Sequence, residues 1–193
     1  MAILLDTETA KCVTQIERHE DRILQVTLKA SPVSIKIIQV YMPTSAHGEE
    51  EIDAMYDNLE EILSQQKGTD YTILMGDWNA VVGEGQDEGF VGKFGLGTRN
   101  DRGQKLVDLC RRQKMVITNT WFKQEKRRIY TWKQPGDLAR YQIDYIMVKE
   151  RYRNSVKSSH AYPGADADTD HNLVIMKSQL QLKFIKKKGV RHR

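Results

Sequence analysis

The sequence predicts an α/β sandwich in which two packed β-sheets and a few helices share one core. Its 193 residues, 39% of them hydrophobic, fit a single globular domain. Strand-like and helix-like patterns alternate along the chain without a repeat, a low-complexity linker or a proline-rich break. The strand patterns outnumber the helix patterns, which favours two sheets. We therefore expect one domain over residues 1–182 and a separate basic tail over residues 183–193.

The first half of the chain predicts a strand, a hairpin and a helix. Residues 2–5 are apolar and predict the first strand. Apolar and polar residues alternate over Ile23–Leu28 and Ile35–Tyr41, which predicts a hairpin with one buried face. Three glutamates at 49–51 then precede apolar residues at helical spacing, and acidic side chains stabilise the positive end of a helix dipole. The apolar positions of this helix are Ile52, Met55, Tyr56, Leu59, Ile62 and Leu63.

Strand patterns dominate the second half. An apolar strand over residues 71–75 ends at Gly76, where the turn that contains Asp77 begins. A glycine-rich stretch over residues 83–103 is long enough to suggest a functional or mobile loop. Leu106, Leu109 and Cys110 then indicate a short amphipathic helix. Further strands are predicted over residues 115–118, 129–132, 142–148 and 173–177, with a possible edge strand over 179–184.

The positive charge of the chain is concentrated in two segments. The net charge is +4, but residues 183–193 hold six Lys or Arg and no acid, so the remaining residues carry −2. This tail is either a nuclear localisation signal or a phosphate-binding arm, or it is an ordinary solvated terminus. Residues 99–128 contain ten Lys or Arg against three acids, and we predict a phosphate-binding surface there.

Composition also excludes several classes of protein. No apolar run approaches the roughly 18 to 20 residues of a membrane span, and the N-terminus lacks the pattern of a signal peptide. We therefore expect an intracellular protein without a membrane partner. We further predict a nuclear location and a monomer. Cys12 and Cys110 lie far apart and form no paired motif, so we expect two reduced thiols.

Acid, amide and histidine side chains stand where predicted strands begin or end. Asp77 and Asn79 follow one strand, although Gly-Asp-x-Asn is also ordinary turn chemistry. Asp144 interrupts an apolar strand, and a buried carboxylate needs a partner. Asp170 and His171 are adjacent, and a histidine held by a carboxylate becomes a better base, although a lone surface histidine is the alternative.

The order of these motifs resembles the endonuclease/exonuclease/phosphatase superfamily, which includes DNase I and the abasic-site endonucleases. The segments that carry the resemblance are Val-Tyr-Met-Pro at 40–43, Gly-Asp-Trp-Asn-Ala at 76–80, Tyr-Thr-Trp at 130–132, Gln-Ile-Asp-Tyr at 142–145 and Thr-Asp-His at 169–171. Residues 95–103 are most similar to endonuclease domains of non-LTR retrotransposons. The resemblance implies a four-layered sandwich of two mixed sheets flanked by helices, with a site at the rim of the sheets.

The resemblance also implies a role for each residue at that rim. Asp77 would activate the attacking water, Asn79 would position the water or the phosphate, and Asp144 would fix His171 against a phosphoryl oxygen. Asp170 would help to bind Mg²⁺ or Mn²⁺, and Tyr41 would lie close to the scissile phosphate. The residues expected to border the DNA are Arg99, Asn100, Arg102, Trp132, Arg140 and Gln142.

One segment of the family has no counterpart in the sequence. Members open with two strands, the second of which ends in the glutamate that is the main metal ligand, within about 40 to 60 residues. We expect the domain to lack both strands and that ligand, because residue 1 follows the position of the glutamate. Two interpretations therefore stay open. The chain is either a divalent-metal-dependent DNA endonuclease, or a non-catalytic remnant of a retrotransposon endonuclease that binds nucleic acid or protein.

Overall fold

The computed structural model describes residues 1–44, 46–66, 69–165 and 169–180. The helices are α1 (Thr7–Ala10), α2 (Glu49–Ser64) and α3 (Asp101–Gln113). The strands are β1 (Val13–His19), β2 (Ile23–Leu28), β3 (Ile35–Tyr41), β4 (Tyr71–Asp77), β5 (Met115–Ile117), β6 (Trp132–Lys133), β7 (Arg140–Tyr141), β8 (Asp144–Lys149), β9 (Val156–Tyr162) and β10 (Leu173–Ser178).

A six-stranded mixed sheet forms the centre, with the order β1-β2-β3-β4-β8-β5. The strands β1, β2 and β3 form an antiparallel meander, and β3 then pairs with β4 in parallel. A parallel pair needs a crossover connection, and α2 supplies it. The strand β8 runs antiparallel between β4 and β5. Two more pairs, β9 with β10 and β6 with β7, lie outside this sheet.

Other elements pack against both faces of the central sheet, while its edge strand β1 is largely exposed. On one face, apolar side chains of α2 and α3 pack against it, including Ile52, Leu59 and Leu106. On the other face, Val116 and Val148 join Val156 of β9 and Met176 of β10 in a second cluster. Helices, central sheet and second sheet therefore form successive layers, which confirms the predicted α/β sandwich with DNase I-like architecture.

Several predicted elements are confirmed, and some are wrong. The hairpin of β2 and β3 and the helix α2 lie where the patterns indicate. Residues 2–5 do not form a strand; they lead into α1, which Asp6 caps through its carboxylate. The strand expected over residues 129–132 is wrong except at Trp132, where the two-residue strand β6 begins. Most of the edge strand predicted over residues 179–184, and the basic tail over 183–193, lie outside the described residues.

No helix among the described residues has the length and apolar character that crossing a membrane requires. The two cysteines are free, with Cys12 exposed and Cys110 buried.

Candidate active site

Three adjacent strands place candidate residues side by side. The register of β3, β4 and β8 sets Tyr41 next to Asp77, and Asp77 next to Asp144. Gly76, one residue before Asp77, has φ +153°, and a Cβ there would overlap the carbonyl oxygen of Val40. Glycine therefore lets β3 and β4 approach each other at this point. The pleat and the register bring two carboxylates and a phenol to one end of the sheet.

Asp77 combines a turn with an unusual electrostatic environment. Its Oδ1 accepts a hydrogen bond from the backbone N–H of Asn79 at 3.0 Å, as expected of turn chemistry. Burial and the neighbouring carboxylate of Asp144 raise the pKa of Asp77 to about 6. A solvated turn carboxylate would not show this shift. Asp77 can therefore take up or release a proton close to neutral pH.

Asn79 holds this turn to the neighbouring strand. Its φ is +46°, in the left-handed region that asparagine tolerates better than most residues. Its Nδ2 donates to the carbonyl oxygen of Met42 at 2.9 Å and lies 3.5 Å from Oδ2 of Asp77. The amide is therefore fixed beside the carboxylate.

Asp144 and His171 form a hydrogen-bonded pair. Nδ1 of His171 lies 3.0 Å from Oδ2 and 3.3 Å from Oδ1 of Asp144. This hydrogen bond raises the pKa of His171, and burial opposes the rise. Among the described residues the ring bonds through Nδ1, so Nε2 is the nitrogen that can face a ligand. The imidazole is held in orientation by a carboxylate, as an acid–base histidine must be.

Two buried polar residues that the sequence analysis missed support this pair. Oγ1 of Thr131 accepts from the backbone N–H groups of Ile143 and Asp144, each at 3.0 Å. The carbonyl oxygen of Thr131 accepts from the N–H of Asn172 at 2.7 Å, next to His171. Nδ2 of Asn119 donates to the carbonyl oxygen of Asp144 at 2.9 Å. Thr131 thus links the segments that carry Asp144 and His171, and only the tertiary structure reveals this.

Asp170 and Trp132 border the pair. The carboxylate of Asp170 is exposed and accepts from Nε1 of Trp132 at 2.7 Å. The ring centroids of Trp132 and His171 are 6.4 Å apart, and those of Trp132 and Tyr141 are 5.7 Å apart. An aromatic surface therefore adjoins the histidine. The roles of Trp132 in DNA contact and of Asp170 in metal binding stay predictions.

The other residues expected to border DNA are engaged within the protein. Arg140 forms two hydrogen bonds with Asp137, at 2.8 and 2.6 Å, and lies over the ring of Tyr130. Gln142 is buried and donates to the carbonyl oxygen of Asn119. Their contacts with DNA also stay predictions.

The residues at the start of α3 brace loops. Asn100 caps α3 by accepting from the N–H of Gly103 at 2.8 Å. Arg102 donates to the carbonyl oxygens of Pro43 and Thr44, at 2.6 and 3.0 Å. Arg99 donates to the carbonyl oxygen of Val82 at 2.9 Å. These bonds fix the loop after β3 beside the site.

Most cations in the segment 99–112 are paired with acids from other parts of the chain. Arg99 and Arg111 bind Asp87, Lys105 binds Glu49 and Asp53, and Arg112 binds Glu60. The local excess of positive charge in the sequence is therefore largely neutralised in the fold. Over residues 99–112, the structure therefore offers little free positive charge for the phosphate-binding surface that was predicted over residues 99–128.

The carboxylates and the histidine could hold a metal ion. Asp77, Asp144 and His171 each offer a ligand atom, and these atoms lie within 4.8 Å of one another. Two carboxylates suit a hard divalent cation such as Mg²⁺ or Mn²⁺, which prefers oxygen ligands and keeps several waters. A cavity of about 550 Å³, lined by Tyr41, Asp77 and Asp144 among others, opens beside them. The donor set fits the predicted metal.

This architecture is that of the endonuclease/exonuclease/phosphatase proteins. The chain is similar to the endonuclease domain of TRAS1, a telomere-specific non-LTR retrotransposon, with a TM-score of 0.61 and 13% identity over 87% of this chain and 70% of that one. It is also similar to the 3′ phosphatase NExo from Neisseria bound to a product DNA hairpin, with a TM-score of 0.59 and 14% identity over 82% and 65% of the two chains. At these identities the likeness shows the fold. The chain thus has the fold of these endonuclease and phosphatase structures.

The sequence is similar over nearly its whole length to two curated proteins of the same description. It is 38% identical to craniofacial development protein 2 of Bos taurus over 187 residues, which are 97% of this chain and 32% of that protein. The protein of the same description from Tragulus javanicus is 37% identical over 97% of this chain and 33% of its own length. The chain spans about a third of these curated relatives. No family model matches the sequence.

Proposed function

We propose that the chain is a divalent-metal-dependent DNA endonuclease that hydrolyses phosphodiester bonds. Its active site lies where β4 ends and β8 begins. The observation that supports this most is a carboxylate with a pKa of about 6, Asp77, beside the hydrogen-bonded pair Asp144–His171. A proton acceptor that titrates near neutral pH is what general-base activation of water requires. A histidine oriented by a carboxylate can meet the charge that develops on the phosphoryl group.

In this proposal the residues act on two groups, the attacking water and the phosphoryl group. Asp77 takes the proton of the attacking water, and Asn79, fixed beside it, positions that water or the phosphate. His171, held through Nδ1 by Asp144, donates from Nε2 to a phosphoryl oxygen. Tyr41 lies one strand from Asp77 and faces the same end of the sheet.

Asp170 is the predicted metal ligand, and the carboxylates of Asp77 and Asp144 lie close enough to each other to contribute oxygen ligands. When bound, Mg²⁺ or Mn²⁺ supplies Lewis-acid stabilisation of phosphate oxygens, which is worth several kcal/mol. Metal dependence of the 193-residue chain is therefore part of the proposal.

DNA as the substrate is supported by the neighbours and by the aromatic surface at the site. One neighbour is described as a retrotransposon endonuclease domain and another as bound to a DNA hairpin product. Trp132 stands next to His171 and Tyr141 next to Trp132, so unpaired or distorted bases could stack on this surface. A nuclear location accompanies a DNA substrate in this proposal.

Nicking of supercoiled plasmid and of an abasic-site duplex, in Mg²⁺ and in EDTA, tests the proposal. We expect metal-dependent nicking that falls about 10²- to 10⁴-fold in Asp77→Asn and in His171→Gln, since catalytic residues contribute effects of this size. Asp57→Asn, an exposed acid on α2, should nick like the unmodified chain.

The opposite outcome favours the non-catalytic interpretation. Folded protein that binds DNA without nicking it, whose affinity is unchanged in His171→Gln and is lost on raising the salt concentration, would contradict the endonuclease proposal. Such binding would be phosphate electrostatics alone.

A further inference from the structure

A second concentration of charge lies at the opposite end of the same strands. β4 follows Asp70 and ends in Asp77, whereas β8 runs the other way, from Asp144 to Lys149. Five to six residues of strand therefore separate this end from the end that carries Asp77 and Asp144. At about 3.3 Å per residue, the two ends lie roughly 20 Å apart. A cavity of about 470 Å³ opens at this far end. Lys114, Lys149, Arg151 and Arg153 line it against two acids, Asp70 and Glu150; we name it the basic cavity.

Lys149 is the most informative residue of the basic cavity. Its ammonium group is half-buried and donates to the carbonyl oxygen of Gln113 at 2.9 Å. Among the described residues no carboxylate lies within ion-pair distance of it, and Asp70 is directed to Lys36 instead, at 3.6 Å. Burial lowers the pKa of Lys149, as expected of a cation without a compensating charge. A buried cation of this kind is stabilised by an anion that enters the cavity.

An apolar cavity adjoins the basic one. It has a volume of about 520 Å³ and is lined by Val116, Trp121, Phe122 and Val156, and it shares Arg153 and Asn154 with the basic cavity. The guanidinium of Arg153 lies 4.8 Å from the ring centroid of Trp121, at the boundary between the two. Nε1 of Trp121 is buried and has no hydrogen-bond partner among the described residues. The indole ring of Trp121 therefore forms an apolar wall of this cavity, next to the guanidinium of Arg153.

We propose that the two cavities together bind a nucleotide, either free or as the end of a single nucleic-acid strand. The phosphate lies in the basic cavity against Lys149, Lys114 and Arg153, where charge-assisted hydrogen bonds are strongest. The base lies in the apolar cavity against the rings of Trp121 and Phe122. The site is independent of the proposed hydrolysis, because it lies at the other end of the sheet.

Titration of the ¹⁵N-labelled chain with AMP, and with a 5′-phosphorylated thymidine tetranucleotide, tests this site. The titration is run in EDTA, so that divalent metal does not hold the ligands at Asp77. We expect the indole N–H signal of Trp121, identified by its loss in Trp121→Phe, to shift together with the amide signals of Lys149 and Arg153. The signals of Asp77 and His171 should not shift. Tighter binding of the tetranucleotide than of AMP indicates that the site takes a strand end. Equal or tighter binding of AMP indicates that it takes a free nucleotide.

The variants connect the binding to the basic cavity. Lys149→Gln and Arg153→Gln should each weaken the binding of AMP about tenfold, because each variant loses one charged hydrogen bond to the phosphate. Lys29→Gln removes one exposed positive charge outside both cavities and should bind as the unmodified chain does. Arg153 is exposed, so its variant still provides the test if Lys149→Gln does not fold. No shift at millimolar AMP, shifts centred on His171, or equal affinity in Arg153→Gln would overturn the proposal.

Discussion

The two ends of the central sheet carry opposite charges on the same pair of strands. At one end Asp77 and Asp144 face each other across β4 and β8, and their proximity, with burial, raises the pKa of Asp77. At the other end Lys149 stands half-buried in a cavity that four cations line, and burial lowers its pKa. Each end therefore holds charge that the protein itself does not fully compensate. The difference teaches which ligand each end suits: a cation at the acidic end and an anion at the basic end.

The largest expected effect comes from breaking the acidic end at Asp144. Asp144→Asn removes the charge that holds His171, so we expect nicking to fall about 10²- to 10⁴-fold. The pKa of His171, followed by NMR of its ring protons, should fall towards its ordinary value, because the hydrogen bond to Asp144 is the main cause of its rise. Asp137→Asn, an exposed acid that binds Arg140, should leave the pKa of His171 unchanged. A His171 pKa that does not move in Asp144→Asn would contradict the pairing.

The next effect concerns stability at the acidic end. The pKa of Asp77 is about 6 in the folded chain and near 3.8 in the unfolded chain, so the ionised group destabilises the fold above pH 6. This penalty is absent below pH 3.8, where Asp77 is protonated in both states. Asp77→Asn should therefore raise the free energy of unfolding at pH 8 by about 1–3 kcal/mol, with little gain near pH 4.

Urea unfolding in EDTA at both pH values measures this gain. Asp57→Asn, which changes one exposed carboxylate, should show no such pH dependence. Equal stability of Asp77→Asn and the unmodified chain at pH 8 would show that Asp77 is not desolvated as described.

A smaller effect is expected from the residue that joins the two halves of the acidic end. Thr131→Val keeps the shape of the side chain but leaves the N–H groups of Ile143 and Asp144 without their acceptor, at a cost of about 1–3 kcal/mol. Nicking should fall through kcat rather than KM, and Thr131→Ser should restore it. If Thr131→Val lowers stability but leaves kcat unchanged, Thr131 supports the fold without positioning Asp144.

The sequence predicts the acidic end better than its surroundings. Asp77, Asp144 and His171 could be predicted as site residues because they lie near the ends of strands. Neighbouring strands pair in register, so residues at the same end of the sheet come close together. Thr131 and Asn119 could not be predicted in this way. A buried polar residue of this kind is recognised only from the hydrogen bonds that it makes in the folded structure. The strands β1 and β9 were not predicted, because polar residues such as Gln15, Glu17 and His160 interrupt their apolar pattern.

The charge pattern was misleading for a related reason. Counting along the chain gives an excess of cations over residues 99–128, but the acids that neutralise Arg99, Lys105 and Arg112 lie elsewhere in the sequence. The basic cavity shows the reverse case. Its cations are scattered between Lys114 and Arg153, and only the packing of the sheet end brings them together.

The most direct test of the contrast between the two ends is paramagnetic broadening of the ¹⁵N spectrum by substoichiometric Mn²⁺. The carboxylates at the acidic end should bind the ion, so we expect the amide signals of Asp77, Asn79, Asp144 and His171 to broaden first. The signals of Lys149 and Trp121 should stay sharp, and Asp77→Asn should remove the effect. Broadening that is absent, or that centres on the glutamates at the start of α2, would contradict the assignment of the acidic end as a metal-dependent hydrolytic site.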